Sequence, residues 1–221
     1  MRVAILGGTG DIGQGLALRF GFDTHHEVVI GSRDPERART KADEYETELG
    51  SRGVDRKITG FVNEMAADRG DVVILAVPPE DVVDVVETVS ARVSDDAVLV
   101  TPVVRMRRLD GGFGYDPPEA GSMAALIDDA VPEAISLVGA FHTLAADRLA
   151  NLDLTFDLDT LVFGDDQDAK ERISTLASDI EGLRPLDAGP LSVAPAVESL
   201  TPLVITLGMH GGGHDLGVKF Q

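Results

Sequence analysis

The chain has no cysteine and no tryptophan, only two tyrosines, and only four lysines (Lys41, Lys57, Lys170, Lys219) among its 19 basic residues. Without cysteine there can be no disulfide framework, thiolate metal site or cysteine nucleophile. With aromatics at 5%, the core must be built from Val, Ile, Leu and Ala, which favours an α/β sandwich over a small β-barrel. Long apolar runs are also scarce. The first, residues 3–6, is cut by Gly7-Gly8, too short for a signal peptide, which needs roughly 7 to 15 apolar residues. The longest uncharged stretch, 199–214, holds Pro202 and several glycines and reads as too broken to span a bilayer. The expectation is a cytoplasmic protein with no membrane partner.

Acids are abundant: 38 against 19 bases, a formal net charge of −19. Such a field repels phosphates, so no nucleic-acid partner is expected. Excess carboxylate with little lysine fits a halophilic protein, because salt screens the self-repulsion while carboxylates hold surface water; an ordinary acidic cytosolic protein is the alternative. With 221 residues and 43% hydrophobic content, the chain can bury a large core in one compact domain, or in one domain with a small appendage.

Short Val/Ile-rich runs alternate with amphipathic segments over the first two-thirds, the pattern of successive βαβ units and a parallel sheet. Strands are expected at 2–6, 27–30, 57–59, 71–77 and 97–101. Helical spacing recurs at Ile12, Leu16 and Phe20, then over 35–49 and 80–93. Asp34-Pro35 supplies a capping carboxylate before a proline at the first helical position, and Asn63 precedes Glu64-Met65-Ala66-Ala67 as a second helix start. Residues 102–121 read as a long Pro/Gly-rich loop carrying Arg105, Arg107 and Arg108, a lid or substrate contact. Beyond it, strands are expected at 134–138 and 161–163 and helices at 167–180 and 193–207. The fold class is α/β, a Rossmann-type, doubly wound, mainly parallel sheet: residues 1–140 form the dinucleotide domain and 141–221 a smaller C-terminal portion that completes a cleft.

Gly8-Thr9-Gly10-Asp11-Ile12-Gly13 fits G-x-G-x-x-G directly after a buried strand and at the opening of a helix, the context that makes the motif informative. Gly8 is assigned the tight turn, Gly10 the close approach of backbone to a pyrophosphate, and Gly13 close helix–strand packing. The pyrophosphate would rest on the helix N-terminus, with Asp11 turned away as a cap. The second strand ends Gly31-Ser32-Arg33, where an NAD-binding protein would carry a carboxylate; a hydroxyl followed by guanidinium suits a 2′-phosphate. Arg37 can reach the same phosphate, so NADP(H) is favoured. The competing reading pairs Arg33 and Arg37 with Asp34 and Glu36 on the helix surface. Val77 and Pro78 end the fourth strand, where the nicotinamide side of a dinucleotide lies, unless they form a simple turn. His142 follows an apolar strand at the junction of the two portions, in a place open to a functional or a structural role. His210 and His214 flank three glycines without a carboxylate or thiol cluster, and no metal is expected. No nucleophile, carboxylate pair or catalytic lysine presents itself, which fits chemistry carried by bound cofactors.

These residues resemble the F420H2:NADP oxidoreductases, or NADPH-dependent F420 reductases, of archaea and some bacteria. The resemblance runs through Arg2-Val3-Ala4-Ile5-Leu6-Gly7-Gly8-Thr9-Gly10, Gly31-Ser32-Arg33, His142-Thr143, Ala150-Asn151-Leu152-Asp153 and the closing Asp215-Leu216-Gly217-Val218-Lys219-Phe220. It is most specific in Gly182-Leu183-Arg184-Pro185-Leu186-Asp187-Ala188-Gly189-Pro190-Leu191 and Val197-Glu198-Ser199-Leu200-Thr201-Pro202-Leu203. The resemblance implies direct hydride transfer between C5 of coenzyme F420 and C4 of the NADP nicotinamide, the two rings stacked in the cleft. It places Thr9, Ser32, Arg33 and Arg37 around NADP, and His142, Leu144, Ser199 and Thr201 around the rings, with His142, Ser199 and Thr201 as the catalytic set. It also implies a homodimer, for which the apolar helix 193–207 is a possible face, and with the acidic surface it points to a salt-adapted archaeon. Relatives often carry an aromatic residue at the position of Pro79 and a proline at that of Arg105. Arg105, Arg107 and Arg108 are expected to meet the anionic F420 tail. The competing functions are an NADPH-dependent reductase of a small carbonyl, imine or metal-chelate substrate, and a non-catalytic NADP(H) sensor.

Overall fold

The computed structural model describes every residue except His214 and Asp215. Among the described residues one sheet organises the chain. Its strands are β1 (Arg2–Leu6), β2 (Glu27–Ser32), β3 (Ile58–Val62), β4 (Val72–Leu75), β5 (Val98–Thr101), β8 (Ser136–Gly139), β9 (Leu158–Phe163) and β10 (Leu183–Gly189), while β6 (Met106–Leu109) and β7 (Gly112–Tyr115) form a separate antiparallel pair. The order across the large sheet is β10-β9-β8-β5-β4-β1-β2-β3. All pairings in it are parallel except β8 with β9. The strand order reverses at β1, which lies between β2 and β4, so the crevice beyond the carboxyl ends of these strands is the place for a dinucleotide. The sheet continues through position 140, because β8 pairs with both β5 and β9.

Side chains alternate across each strand, and both faces are covered. Val3 and Ile5 belong to the cluster that includes Leu16 and Phe20 of α1 (Asp11–Asp23), whereas Ala4 and Leu6 join Val82 and Val86 of α4 (Val82–Val89) on the other face. The remaining helices are α2 (Pro35–Ser51), α3 (Asn63–Ala67), α5 (Met123–Asp128), α6 (Ala146–Ala150), α7 (Gln167–Ser178), α8 (Ala194–Glu198) and α9 (Leu200–Leu207). Asp34 caps α2 as its sequence predicts, its carboxylate accepting from the amides of Glu36 and Arg37. Asn63 is the first residue of α3 rather than its cap, a place that Val62 takes without a side-chain bond.

Three expectations are corrected. Residues 102–121 are not one irregular loop: β6 and β7 pair from Met106↔Tyr115 to Leu109↔Gly112, with Gly111 at φ +86° in the turn. The apolar helix expected over 193–207 is broken, with a 3₁₀ turn at Leu191–Val193 and a junction at Ser199 between α8 and α9. Pro202 has no N–H for the carbonyl of Glu198 four residues back, and its ring crowds that carbonyl. Leu191–Gly211 is also, by length and composition alone, long and apolar enough to cross a membrane, which the sequence reading did not expect. β10 was not foreseen at all.

Candidate active site

The glycine-rich turn after β1 divides its work differently from the motif's usual assignment. Gly7, not Gly8, makes the tight turn: its φ is +77°, and a Cβ there would lie 2.3 Å from the carbonyl oxygen of Ala76. Gly8 is needed instead for packing, since its Cβ would meet Ile30 at 2.6 Å. Gly13 sits so close beneath the turn that a Cβ would come within 2.4 Å of the Gly7 oxygen and 2.6 Å of the Gly8 Cα. Gly10 has only an ordinary 3.5 Å contact and is exposed, leaving its backbone free to approach a ligand. It is also the N-cap of α1 and provides no side-chain bond. Asp11 is therefore the first helical residue and not a cap, so the amides of the first turn stay available to an anion. Tyr45, invisible to motif reading, braces the turn: its buried hydroxyl donates to the Gly8 carbonyl over 2.9 Å. Burial raises its pKa and keeps it a donor.

At the end of β2, Ser32 is buried and its Oγ accepts from the Asp34 amide over 3.2 Å. Arg33 is largely exposed and ion-pairs with Asp81 at 3.3 Å, not with Asp34, which is occupied as the α2 cap. Arg37 donates to the Thr9 carbonyl over 3.4 Å, which sets a second guanidinium beside the glycine turn. Arg33 lines a recess of about 320 Å³ with Asn63, Asp81, Asp84 and Thr88.

A larger cleft of about 540 Å³ runs from the start of α1 to α9. Of the residues singled out in the sequence it brings together Gly10, Asp11, Ile12, Val77, Pro78, His142, Leu144 and Thr201. Ser199 is not among its lining residues; its Oγ donates to the Ala196 carbonyl over 2.8 Å at the α8–α9 junction. The hairpin contributes Met106, preceded by Val103 and Val104, and α9 contributes Val204 and Ile205. The apolar face of α9 was legible only as core or dimer surface, and the hairpin's share only as a lid or substrate contact somewhere in 102–121.

His142 occupies the inner wall. Phe141 before it adopts a left-handed backbone at φ +67°, a strained state for a large side chain; its amide donates to the Thr160 hydroxyl over 2.9 Å. The His142 ring stacks on Phe163 at 5.3 Å and 27°, and both ring nitrogens are buried without a hydrogen-bond partner. Burial lowers its pKa to about 3, so the imidazole is neutral, with one ring nitrogen a donor and the other an acceptor. Buried nitrogens left unpaired are costly unless a ligand or water meets them. Glu198, wholly buried, accepts from Tyr115, Met123 and Ala124. Burial raises its pKa and those three donors oppose the rise.

His210 gives its ring to the Gly111 carbonyl at 2.6 Å, and His214 lies outside the described residues. Among the described residues there is no cluster of three His, Asp or Glu that could hold a metal. Arg105 is bound to Asp116, at 2.8 Å to its carbonyl and 3.1 Å to its carboxylate, while Arg107 and Arg108 are exposed on the hairpin.

Comparison with known proteins places this geometry in context. The family described as NADP oxidoreductase, coenzyme F420-dependent, matches residues 2–105. An F420-dependent NADP reductase of Methanocaldococcus jannaschii is 34% identical over 99% of this chain and 97% of its own. One from Methanothermobacter thermautotrophicus is 35% identical over 99% and 94%. A crystal structure from Arthrobacter sp. FB24, of a candidate F420-dependent NADP reductase, superposes with a TM-score of 0.81 at 23% identity, covering 100% of this chain and 99% of that one.

Proposed function

The chain belongs to the coenzyme F420-dependent NADP oxidoreductase family, and from that membership we propose a hydride-transfer mechanism in the cleft between the glycine turn and α9. It is an oxidoreductase whose cofactors are NADP(H) and coenzyme F420, and it catalyses F420H2 + NADP⁺ = F420 + NADPH + H⁺. The near full-length similarity to F420-dependent NADP reductases carries this conclusion. It also favours it over a small-molecule reductase or a sensor.

The residues fit the two cofactors on observations of this structure. The uncapped amides at the start of α1 suit a pyrophosphate. Ser32, Arg33 and Arg37 lie where a ribose 2′-phosphate would sit, and the guanidinium fork matches phosphate oxygens. The unpartnered nitrogens of His142 in an apolar cleft suit the polar edge of a planar ring system. The chemistry the cofactors supply is hydride transfer between C5 of the deazaflavin and C4 of the nicotinamide. The chain's own work is alignment and exclusion of water. Val77 and Pro78 hold one wall, Met106, Val204 and Ile205 the other, and Leu144 closes the floor. We assign His142 a hydrogen bond to the ring edge, and Thr201 the orientation of the His142 backbone. Ser199 retains a place in this assignment only by resemblance.

Residues 1–140 serve NADP in this reading and 141–221 complete the F420 side. Arg107 and Arg108 meet the anionic F420 tail, Arg105 being engaged by Asp116. The protein acts in the cytoplasm, and its charge of −19 adapts it to salt. The exposed apolar side chains Leu203, Leu207 and Met209 form the face of a homodimer rather than a membrane contact.

The test is made in molar KCl: purified protein is mixed with reduced F420 and either NADP or NAD, and the return of the oxidised deazaflavin absorbance is followed. Fast return with NADP and slow return with NAD is expected. No return with either, from folded protein that binds NADPH, would move the function to the carbonyl reductase or the sensor. Light scattering across the same salt range reads the dimer.

A further inference from the structure

Glu198 is a carboxylate with no exposed surface, set in a helix end among apolar neighbours. Desolvating a carboxylate costs several kcal/mol, and a packed apolar side chain often does as well for stability. What Glu198 provides is a fixed junction. Its Oε1 accepts from the Ala124 amide over 2.9 Å, and its Oε2 from the Met123 amide over 2.9 Å and the Tyr115 hydroxyl over 2.7 Å. Three separate segments therefore meet on one side chain: the hairpin, the first turn of α5 and the α8–α9 junction.

Two of those segments form the outer wall of the cleft. Tyr115 is the register partner of Met106, and Met106 lines the cleft with Val204 and Ile205 of α9. Farther along, the Thr206 hydroxyl accepts from the Phe113 amide over 2.9 Å, and Gly112 lies so close to Thr206 that a Cβ would come within 2.5 Å of its Oγ1. The hairpin is thus tied to the helical run at three points, the His210 ring on the Gly111 carbonyl being the third, and Tyr115–Glu198 is the tie next to Met106. Val77 and Pro78, which also line the cleft, lie in the turn that follows β4, outside both the hairpin and the helical run. The separation of the two walls depends on where the hairpin is held.

We propose that Glu198 is a positioning residue for hydride transfer, acting through Tyr115 to set the spacing of the cleft walls and so the alignment of the two stacked rings. The inference rests on the two-cofactor reading above. It concerns geometry and not affinity for NADP, whose phosphate contacts lie at the other end of the cleft.

Tyr115→Phe removes only the phenol oxygen and leaves Glu198 its two amide donors, so folding is retained; Glu198→Gln tests the carboxylate itself. In Tyr115→Phe, kcat from reduced F420 to NADP is expected to fall about tenfold, since small misplacements of reacting atoms have large effects on rate. KM for NADP should stay within about twofold, and the primary deuterium isotope effect on the transferred hydride should rise. Hydrogen exchange of the amides of residues 106–115 should quicken about tenfold as local opening becomes easier. Unchanged exchange, or faster exchange with unchanged kcat and isotope effect, overturns the proposal; so does a fall in kcat of Glu198→Gln that merely follows its lost folded fraction. If the unmodified protein transfers no hydride, the function is what fails, and the alignment role falls with it. The exchange data then report separately whether Tyr115 holds the hairpin.

Discussion

The hydroxyl of Thr201, at the start of α9, donates to the backbone carbonyl of His142 over 2.9 Å, joining segments 59 residues apart across the inner end of the cleft. This bond fixes the His142 backbone against the helix that carries Val204 and Ile205. Thr201→Val keeps the volume but leaves the carbonyl without its partner, a loss of about 1 kcal/mol. The expected result is a fall in kcat/KM for F420 of about fivefold, with Thr201→Ser retaining most of it. Steady-state kinetics of both variants decide the matter, and equal loss in the two would remove the hydrogen bond from the mechanism.

His142 makes stability depend on acid. Its folded pKa is lowered from 6.5 to about 3 by burial, so the unfolded chain takes up the proton first as pH falls. The sign follows: its contribution is whole above pH 6.5 and is lost progressively down to about pH 3. The full loss is about 5 kcal/mol. Urea midpoints between pH 7 and pH 4 should therefore drop more steeply for the natural protein than for His142→Asn at the same salt. The pH–rate profile should show no limb between pH 5 and pH 8 that disappears in His142→Asn.

Arg33 is the test of nucleotide choice. Its guanidinium is held 3.3 Å from the Asp81 carboxylate at the mouth of the smaller recess. Arg33→Glu replaces attraction to a 2′-phosphate with repulsion, and KM for NADP should rise about 100-fold while activity with saturating NAD changes little. Equal loss with both nucleotides would end the 2′-phosphate assignment. Because the pair is exposed, its own strength is small, and Asp81→Asn should lower KM for NADP by no more than about twofold.

Much of the cofactor half was legible because its signals are local. A strand, a glycine turn and an amphipathic helix follow one another within about twenty residues, a spacing that only a βα unit satisfies. The turn glycine was misassigned by one position because the motif does not say which glycine adopts positive φ; Gly7 does so because the Ala76 carbonyl leaves no room for a Cβ. β10 escaped because it is an edge strand: Pro185, Arg184 and Asp187 interrupt the apolar alternation, which an edge tolerates. The hairpin did have a signal in Asp110-Gly111, a pair suited to a two-residue turn, hidden by Arg107 and Arg108 on the first strand. Tyr45 and Glu198 were not legible, since their partners lie 37 and more than 70 residues away, and no residue pattern records such contacts.

Arg19 is held by contacts of the same non-local character. Its side chain, 2% exposed, sits over the Phe156 ring at 4.4 Å and lies 3.6 Å from the equally buried Asp23 carboxylate. It donates to the carbonyls of Arg148, Leu149, Asn151 and Leu154. These acceptors lie in α6 and the turn after it, and Ala145 and Ala146 at the start of α6 line the cleft. A guanidinium is suited to this place because its fork reaches several acceptors at once and it stays charged when buried. Arg19→Met would leave Asp23 buried without a counter-charge and four carbonyls short of a donor, a loss of about 3 to 5 kcal/mol. Arg19→Lys should recover only part, because one ammonium cannot span all four acceptors. Adding salt should not restore either variant, since a pair this far from solvent is little screened. Replacing Asp23 with Leu in the Arg19→Met background should recover part of the loss, because it removes the orphaned charge. Denaturant midpoints of the four proteins at two salt concentrations test this, and a single variant losing less than about 1 kcal/mol would place Arg19 among ordinary surface cations.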